Sequence, residues 1–146
     1  MSVSVSPFAS EDYKSPVVLY IASDKGIRVV SREKWDTLSP IEQKKYAKYT
    51  VTLRALTWGE TCDLQSRSTK VDKELNQRVF DPEQFVKQKL RKIILAWDFF
   101  EEVGGQTIPV ALTEDTVDSL HAAVANFLLD KYRSMFEYDW EKEKNF

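Results

Sequence analysis

The chain has 146 residues, of which 42% are hydrophobic and 12% aromatic, with only 4 glycines and 5 prolines; this composition predicts one folded domain and excludes a disordered chain. Basic residues (21) and acidic residues (23) nearly cancel to a net charge of −2, so no overall basic field would attract nucleic acid. A single cysteine, Cys62, excludes an intramolecular disulfide and favours a reducing intracellular compartment.

The chain order predicts three regions. Residues 1–15, rich in serine, form an extended N-terminal arm; residues 16–136 form a single globular domain; residues 137–146 form a charged tail that contains aromatic residues. No apolar run approaches the roughly eighteen residues that a membrane-spanning helix needs, and the first residues lack the pattern of a secretory signal. We therefore expect neither a membrane nor a nucleic acid as a partner.

The first half of the domain reads as strands and short capped helices. The apolar runs 17–22 and 27–30 predict a β-hairpin, and the alternation over 49–56 predicts a half-exposed strand that pairs with it. Ser31 and Ser39 are placed to cap two short helices between these strands, with Glu42 completing a capping box at the second.

The strand over 49–56 leads directly into a second capping box formed by Thr57 and Glu60. In such a box, the Thr57 hydroxyl accepts from the backbone N–H of Glu60, and the Glu60 carboxylate accepts from the backbone N–H of Thr57. This pattern predicts a sharp strand-to-helix junction and a helix that runs to about Arg67. The polar stretch that follows, over 68–78, predicts a mobile loop.

Two long helices are predicted in the second half. Asp81 caps the first helix, in which apolar residues recur every three or four positions up to Phe100, and Gly104 and Gly105 end it. Thr113 caps the second helix, whose apolar stripe reaches Phe136. An extended segment around Pro109 joins them. The predicted fold class is therefore a helix-rich α+β fold: a small N-terminal β-hairpin or sheet followed by a bundle dominated by two long, antiparallel amphipathic helices.

No catalytic residue, cofactor site or metal site is expected. His121 is the only histidine and lies beside an apolar stripe, so we assign it a structural or surface role; a nucleophile pair of Cys62 with His121 stays as the alternative. The pair Gly104 and Gly105 matches no phosphate-binding pattern. A deep pocket holding His121, Cys62 or Asp98 with perturbed acidity would favour an enzyme instead.

Charged clusters are interpreted as solvated surfaces. Asp98, Glu101 and Glu102 lie at a predicted helix end, where a buried pair would have a raised pKa, and Asp98 is expected to fix the turn through the two glycines. The basic cluster 87–92 is interpreted as a solvated helix face, with an acidic partner as the alternative.

The aromatic residues divide into two groups. Trp35, Trp58 and Trp97 are predicted to lie in the core, where truncation to alanine costs roughly 3–5 kcal/mol. Tyr138, Trp140 and Phe146 lie in the charged tail, where burial is not expected, and exposed aromatic residues are typical of interface hot spots. The predicted partner-binding residues are Phe136, Tyr138, Trp140 and Phe146.

Over roughly residues 49–133, the order of features resembles the tail assembly chaperones of tailed bacteriophages. The resemblance lies in a Leu-Thr-x-Gly-Glu turn after a strand (53–60), Phe-Asp-Pro-Glu (80–83), a Trp-Asp step (92–98), an Ile-Pro loop (108–109) and a last helix ending in Ala-Asn-Phe-Leu-Leu-Asp-Lys (113–131).

The resemblance implies a non-enzymatic protein of the infected host cytoplasm, which binds the tape measure protein and helps to recruit tube subunits. The chain is also a possible homo-oligomer. The alternative is a permanent structural subunit of the virion, in the tail, baseplate or neck, because the segments 17–30 and 137–146 fall outside the resemblance.

Overall fold

The computed structural model describes residues 13–137. In chain order the elements are β1 (Lys14–Ala22), β2 (Arg28–Ser31), α1 (Arg32–Asp36), α2 (Pro40–Gln43), β3 (Ala47–Arg54), α3 (Trp58–Arg67), β4 (Thr69–Asp72), β5 (Gln77–Phe80), α4 (Pro82–Ile93), β6 (Ile94–Trp97), β7 (Phe100–Val103), β8 (Gln106–Pro109), α5 (Glu114–Asp118) and α6 (Ala122–Phe136). None of the helices within 13–137 is long and apolar enough to cross a membrane.

An antiparallel sheet of order β2-β1-β3-β6 organises the fold, and it confirms the predicted pairing of the hairpin with the strand over 49–56. Leu53 lies opposite Ile94 and Val51 opposite Trp97, so β6 extends the apolar face that β3 presents. This face packs with α4, α5 and α6 into the main core. Its buried members are Val17, Leu19, Val51, Leu53, Leu90, Ile93, Ile94, Val117, Val124, Leu128 and Tyr132.

The opposite face of the sheet is covered at one end by α1 and α2. Tyr20 points away from its neighbour Leu19, and its ring stacks on Trp35 with centroids 4.6 Å apart. The Trp35 indole donates to the carbonyl of Gln43 at 3.3 Å, and the Gln43 amide donates back to the carbonyl of Trp35 at 3.0 Å. These contacts hold the two short helices together.

The predicted helix starts are confirmed. The side chains of Ser31, Ser39, Thr57, Asp81 and Thr113 each accept a hydrogen bond from a backbone N–H in the first turn. The box at Thr57 is complete in both directions, at 3.1 Å each way. At Ser39 only the serine half of the predicted box forms, because the carboxylate of Glu42 pairs with Lys45 at 3.0 Å instead.

The predicted helix-rich fold class is wrong, because strands take the place of much of the predicted helix in the second half. The expected helix from Pro82 to the glycine pair stops at Ile93, and the next four residues join the sheet as β6. The last helix is also divided, with a break at 119–121 between α5 and α6. Within 13–137 the chain forms eight strands in three antiparallel sheets and six helices, of which α3, α4 and α6 reach seven residues. No bundle of two long helices forms.

Two separate β-hairpins replace a predicted loop and a predicted helix end. The expected mobile loop over 68–78 is largely the β4–β5 hairpin, in which the Asp72 carboxylate accepts from the N–H groups of Glu74 and Leu75. Gly104 and Gly105 form the turn of the β7–β8 hairpin, at φ of 59° and 81°. Positive φ at both central residues is the geometry of a tight hairpin turn, so these glycines do not end a helix.

The basic cluster on α4 is not a freely solvated face. Arg91 forms a two-pronged pair with Asp118, which also lies 3.6 Å from Lys87, and Lys89 pairs with Glu137. The guanidinium of Arg91 lowers the pKa of the Asp118 carboxyl. These ion pairs connect α4 to α5 and to the end of α6.

Candidate functional site

A cavity of about 420 Å³ opens at one end of the four-stranded sheet, between the sheet and the junction of α5 with α6. This volume lies in the range of roughly 300–1,000 Å³ that is typical of ligand sites. Aromatic and aliphatic residues make up most of its wall. The lining consists of Ile21, Ile27, Tyr49, Trp97, Phe99, Phe100, Glu101, Val110, Thr116, Ser119, Leu120, His121 and Val124.

The aromatic wall is held in place by its own contacts. The indole of Trp97 donates to the carbonyl of Val110 at 2.8 Å, and the N–H of Val110 donates to the carbonyl of Phe99 at 2.9 Å. The rings of Tyr49 and Phe99 lie 5.1 Å apart, and those of Tyr49 and Phe100 lie 5.2 Å apart. These contacts fix the base of the β7–β8 hairpin to the sheet, so the wall of the cavity is preformed.

Two of the polar lining residues are occupied in stabilising α5. The Thr116 hydroxyl donates to the carbonyl of Ala111 at 2.7 Å and accepts from the N–H of Thr113 at 2.9 Å, and the Ser119 hydroxyl donates to the carbonyl of Asp115 at 2.8 Å. His121 is exposed at the first position before α6 and makes no capping hydrogen bond with its side chain. The side chains of His121, Glu101 and Tyr49 therefore offer polar groups to a ligand in the cavity.

Carboxylates lie beside the aromatic wall. Asp98 does not fix the glycine turn as predicted; its carboxylate accepts from the N–H of Thr50 at 2.7 Å and so extends the pairing of β6 with β3. Burial raises the pKa of the Tyr49 hydroxyl, and the charges of Asp98 and Glu102 raise it further. Within residues 13–137, neither Asp98, Glu101 nor Glu102 forms an ion pair. This side of the cavity is acidic.

The candidate catalytic residues are not brought together. His121 lies at the cavity, whereas Cys62 lies on α3, which contributes no lining residue. The described part of the chain also contains no group of three or more His, Cys, Asp and Glu side chains arranged to hold a metal ion.

The predicted partner-binding residues lie away from this cavity or outside the described residues. Phe136 is partly buried, with its ring 5.2 Å from Tyr132 and 5.6 Å from Tyr13. Tyr138, Trp140 and Phe146, together with most of the predicted arm, fall outside residues 13–137.

Sequence reasoning missed the apolar residues that the two hairpins expose. Val103 and Ile108 are 57% and 45% exposed, and the register of β7 with β8 places both on one face. The β4–β5 hairpin exposes Val71 and Phe80 in the same way. The Gly-Gly pair followed by β-branched residues was the available signal for the first hairpin.

Trp58 is not a core residue, because it is 85% exposed at the first position of α3. Trp35 and Trp97 are partly buried, as their contacts with Tyr20 and Val110 require.

No protein-family model matches the chain, and no curated protein or solved structure shows significant similarity to it.

Proposed function

We propose that this chain is a non-enzymatic assembly protein of a tailed bacteriophage, which binds other tail proteins through the aromatic cavity and the adjoining β7–β8 hairpin. One observation carries the proposal: the cavity wall continues into an exposed hairpin that presents two apolar side chains. Glu101 lines the cavity, and the register places it on the same face of the hairpin as the exposed Val103 and Ile108. A surface that combines a cavity with exposed apolar side chains on an adjoining hairpin suits a protein better than a small molecule.

The hairpin itself favours a partner that covers it. Every residue of β7 and β8 except Phe100 is exposed, and within residues 13–137 the two strands pair only with each other. A two-stranded hairpin is at best marginally stable in water by itself. Covering Val103 and Ile108 would remove apolar surface from water, and each Å² of apolar surface removed contributes a favourable transfer free energy of about 25 cal/mol. A partner protein that covers these two side chains would thus gain affinity here.

The resemblance to tail assembly chaperones supplies the class of partner. Its first feature has the expected form, since β3 leads into the Thr57 box and then α3. The segment that ends in Trp97 and Asp98 forms a strand and not a helix end, but it contributes Trp97 to the cavity wall. On this proposal the partners are the tape measure protein and tube subunits, met in the host cytoplasm during assembly.

A permanent structural subunit of the virion is the second candidate. It is favoured by the two separate hairpins, because a subunit built into a particle contacts neighbours on more than one side. Val71 and Leu75 are 60% and 61% exposed on the β4–β5 hairpin, in addition to the residues exposed on β7 and β8.

Photo-crosslinking in infected cells tests the proposal. A p-benzoylphenylalanine placed at position 108 probes the hairpin beside the cavity, and the same group at position 65, an exposed site on α3, serves as the control. We expect crosslinks from position 108, and not from position 65, to a tail protein identified by mass spectrometry. Equal crosslinking at both positions, or crosslinks only to proteins unrelated to the tail, would refute the proposal.

Mass spectrometry of purified particles separates the two candidates. Peptides of this chain at the stoichiometry of a subunit would establish the structural role. Peptides found only in the infected-cell lysate, together with a long helical protein, would establish the chaperone role.

A further inference from the structure

We infer that the cavity receives one large apolar side chain from a basic segment of the partner, in which lysine or arginine residues flank that apolar anchor. The inference rests on the proposed function, because it assumes that the cavity binds a protein. It adds the chemistry of the segment that enters: an aromatic or branched aliphatic anchor with cations on either side.

The volume and lining of the cavity favour a whole side chain as the anchor. At about 420 Å³ it is far larger than the roughly 10–15 Å³ of cavity volume that one water molecule needs. Its wall is mainly aromatic and aliphatic, and Tyr49, Trp97 and Phe99 are fixed by contacts with one another and with the backbone. Rigid aromatic pockets of this kind bind the apolar anchors that dominate interface energetics.

The charge around the cavity selects the residues that flank the anchor. The lining contains Glu101 but no lysine or arginine. Asp98 and Glu102 are its near neighbours in the chain. The Asp98 carboxylate accepts from the N–H of Thr50, the residue after Tyr49, at 2.7 Å, and the charges of both carboxylates add to burial in raising the pKa of the Tyr49 hydroxyl. Since none of these three carboxylates is paired with a cation within 13–137, lysine or arginine on the partner would find unneutralised charge.

Peptide titrations monitored by NMR of the ¹⁵N-labelled full chain test this inference. Three twelve-residue peptides are compared at low salt: a central tryptophan flanked by lysines, the same tryptophan flanked by glutamates, and a central alanine flanked by lysines. We expect the lysine–tryptophan peptide to bind at least tenfold more tightly than either other peptide, with the largest shifts at Thr116, Ser119 and His121. Equal affinity of the glutamate-flanked peptide, or of the alanine peptide, would overturn the inference.

Charge reversal at the rim provides the decisive variant. Glu101 and Glu102 are exposed and unpaired in the described chain, so Glu101→Lys with Glu102→Lys removes no ion pair seen there. We expect the double variant to bind the lysine–tryptophan peptide at least tenfold more weakly and to prefer the glutamate-flanked peptide. Glu101→Gln with Glu102→Gln is the milder replacement, with an intermediate loss, if charge reversal disturbs the fold. Unchanged affinity in a folded variant of either kind would overturn the inference.

Blocking the cavity separates failure of this inference from failure of the proposed function. His121→Trp narrows the mouth without removing a capping hydrogen bond, and Gln65→Trp adds the same side chain at an exposed site on α3. We expect only His121→Trp to abolish peptide binding. If the two tryptophan peptides bind equally and His121→Trp blocks both, the charge inference falls while the cavity remains a protein-binding site. If no peptide binds and position 108 gives no crosslink, both the further inference and the proposed function are refuted.

Discussion

The charge of Glu60 stabilises the junction between β3 and α3, and replacing it with glutamine tests this directly. Both carboxylate oxygens of Glu60 accept from the guanidinium of Arg54, at 3.0 and 2.7 Å, and one also accepts from the N–H of Thr57 at 3.1 Å. Arg54 in turn donates through Nε to the carbonyl of Lys92 at 3.1 Å. The pair therefore connects the end of β3 with the start of α3 and the end of α4.

The magnitude follows from the pKa of Glu60. Hydrogen bonds from Arg54, the largest cause, lower it from the ordinary 4.5 to about 2, against the opposing effect of burial. This lowering corresponds to about 3 kcal/mol of stabilisation when the carboxyl is charged. Because the side chains of Arg54 and Glu60 are 22% and 26% exposed, solvent screening reduces the effect. We expect Glu60→Gln to cost about 1–2 kcal/mol at pH 7, since glutamine keeps the capping geometry but not the charge.

The pH dependence gives the sharper result. A carboxyl with a lowered pKa in the folded state contributes stability above its unfolded pKa, and this contribution is lost as the pH falls through the folded value. Urea unfolding of the unmodified chain and of the Glu60→Gln variant, at several pH values, measures this contribution. The difference between their free energies of unfolding should have its full size above about pH 4.5 and vanish near pH 2. A difference that stays constant across this window would refute the role assigned to the charge.

Four further substitutions test the packing and the β7–β8 turn. Tyr132→Phe removes the hydroxyl that accepts from the N–H of Leu56 at 3.0 Å and should cost about 1–3 kcal/mol in urea unfolding, because the N–H loses its partner; unchanged stability would contradict this hydrogen bond. Trp58→Ala should change the free energy of unfolding by less than about 0.5 kcal/mol, whereas Trp97→Ala should lower it by roughly 3–5 kcal/mol. A larger loss for Trp58→Ala than for Trp97→Ala would contradict the exposed position of Trp58 and the partly buried position of Trp97. Gly105→Ala should lower the melting temperature, because alanine is strained at a φ of 81°, while equal melting would argue against the tight turn.

The sequence predicts those parts of the fold that local interactions determine. The helix starts at Ser31, Thr57 and Thr113 follow from side chains that bond a backbone group three residues away. The alternation of Val51 and Leu53 with polar neighbours predicts a strand over 49–56, which overlaps β3 (Ala47–Arg54), because one face of that strand packs in the core. These signals act within a few residues, and they are readable without tertiary structure.

The end of α4 was missed because two structures fit the same apolar spacing. Ile94 and Trp97 continue the helical recurrence after Leu90, but they also fit a strand opposite Leu53 and Val51. Pairing with β3 decides between them, and that pairing is a long-range contact. The cavity could not be predicted for the same reason: its wall combines residues from the sheet, the base of the β7–β8 hairpin and the junction of α5 with α6.

Hydrogen–deuterium exchange of the full chain, free and in complex with the tail protein captured from position 108, tests most directly whether the cavity and its hairpin form the binding surface. We expect slower exchange in the complex over 97–110 and 116–124, which carry the hairpin and most of the cavity wall. Protection confined to 69–80, the other exposed hairpin, with unchanged exchange around the cavity, would contradict the assignment of this site.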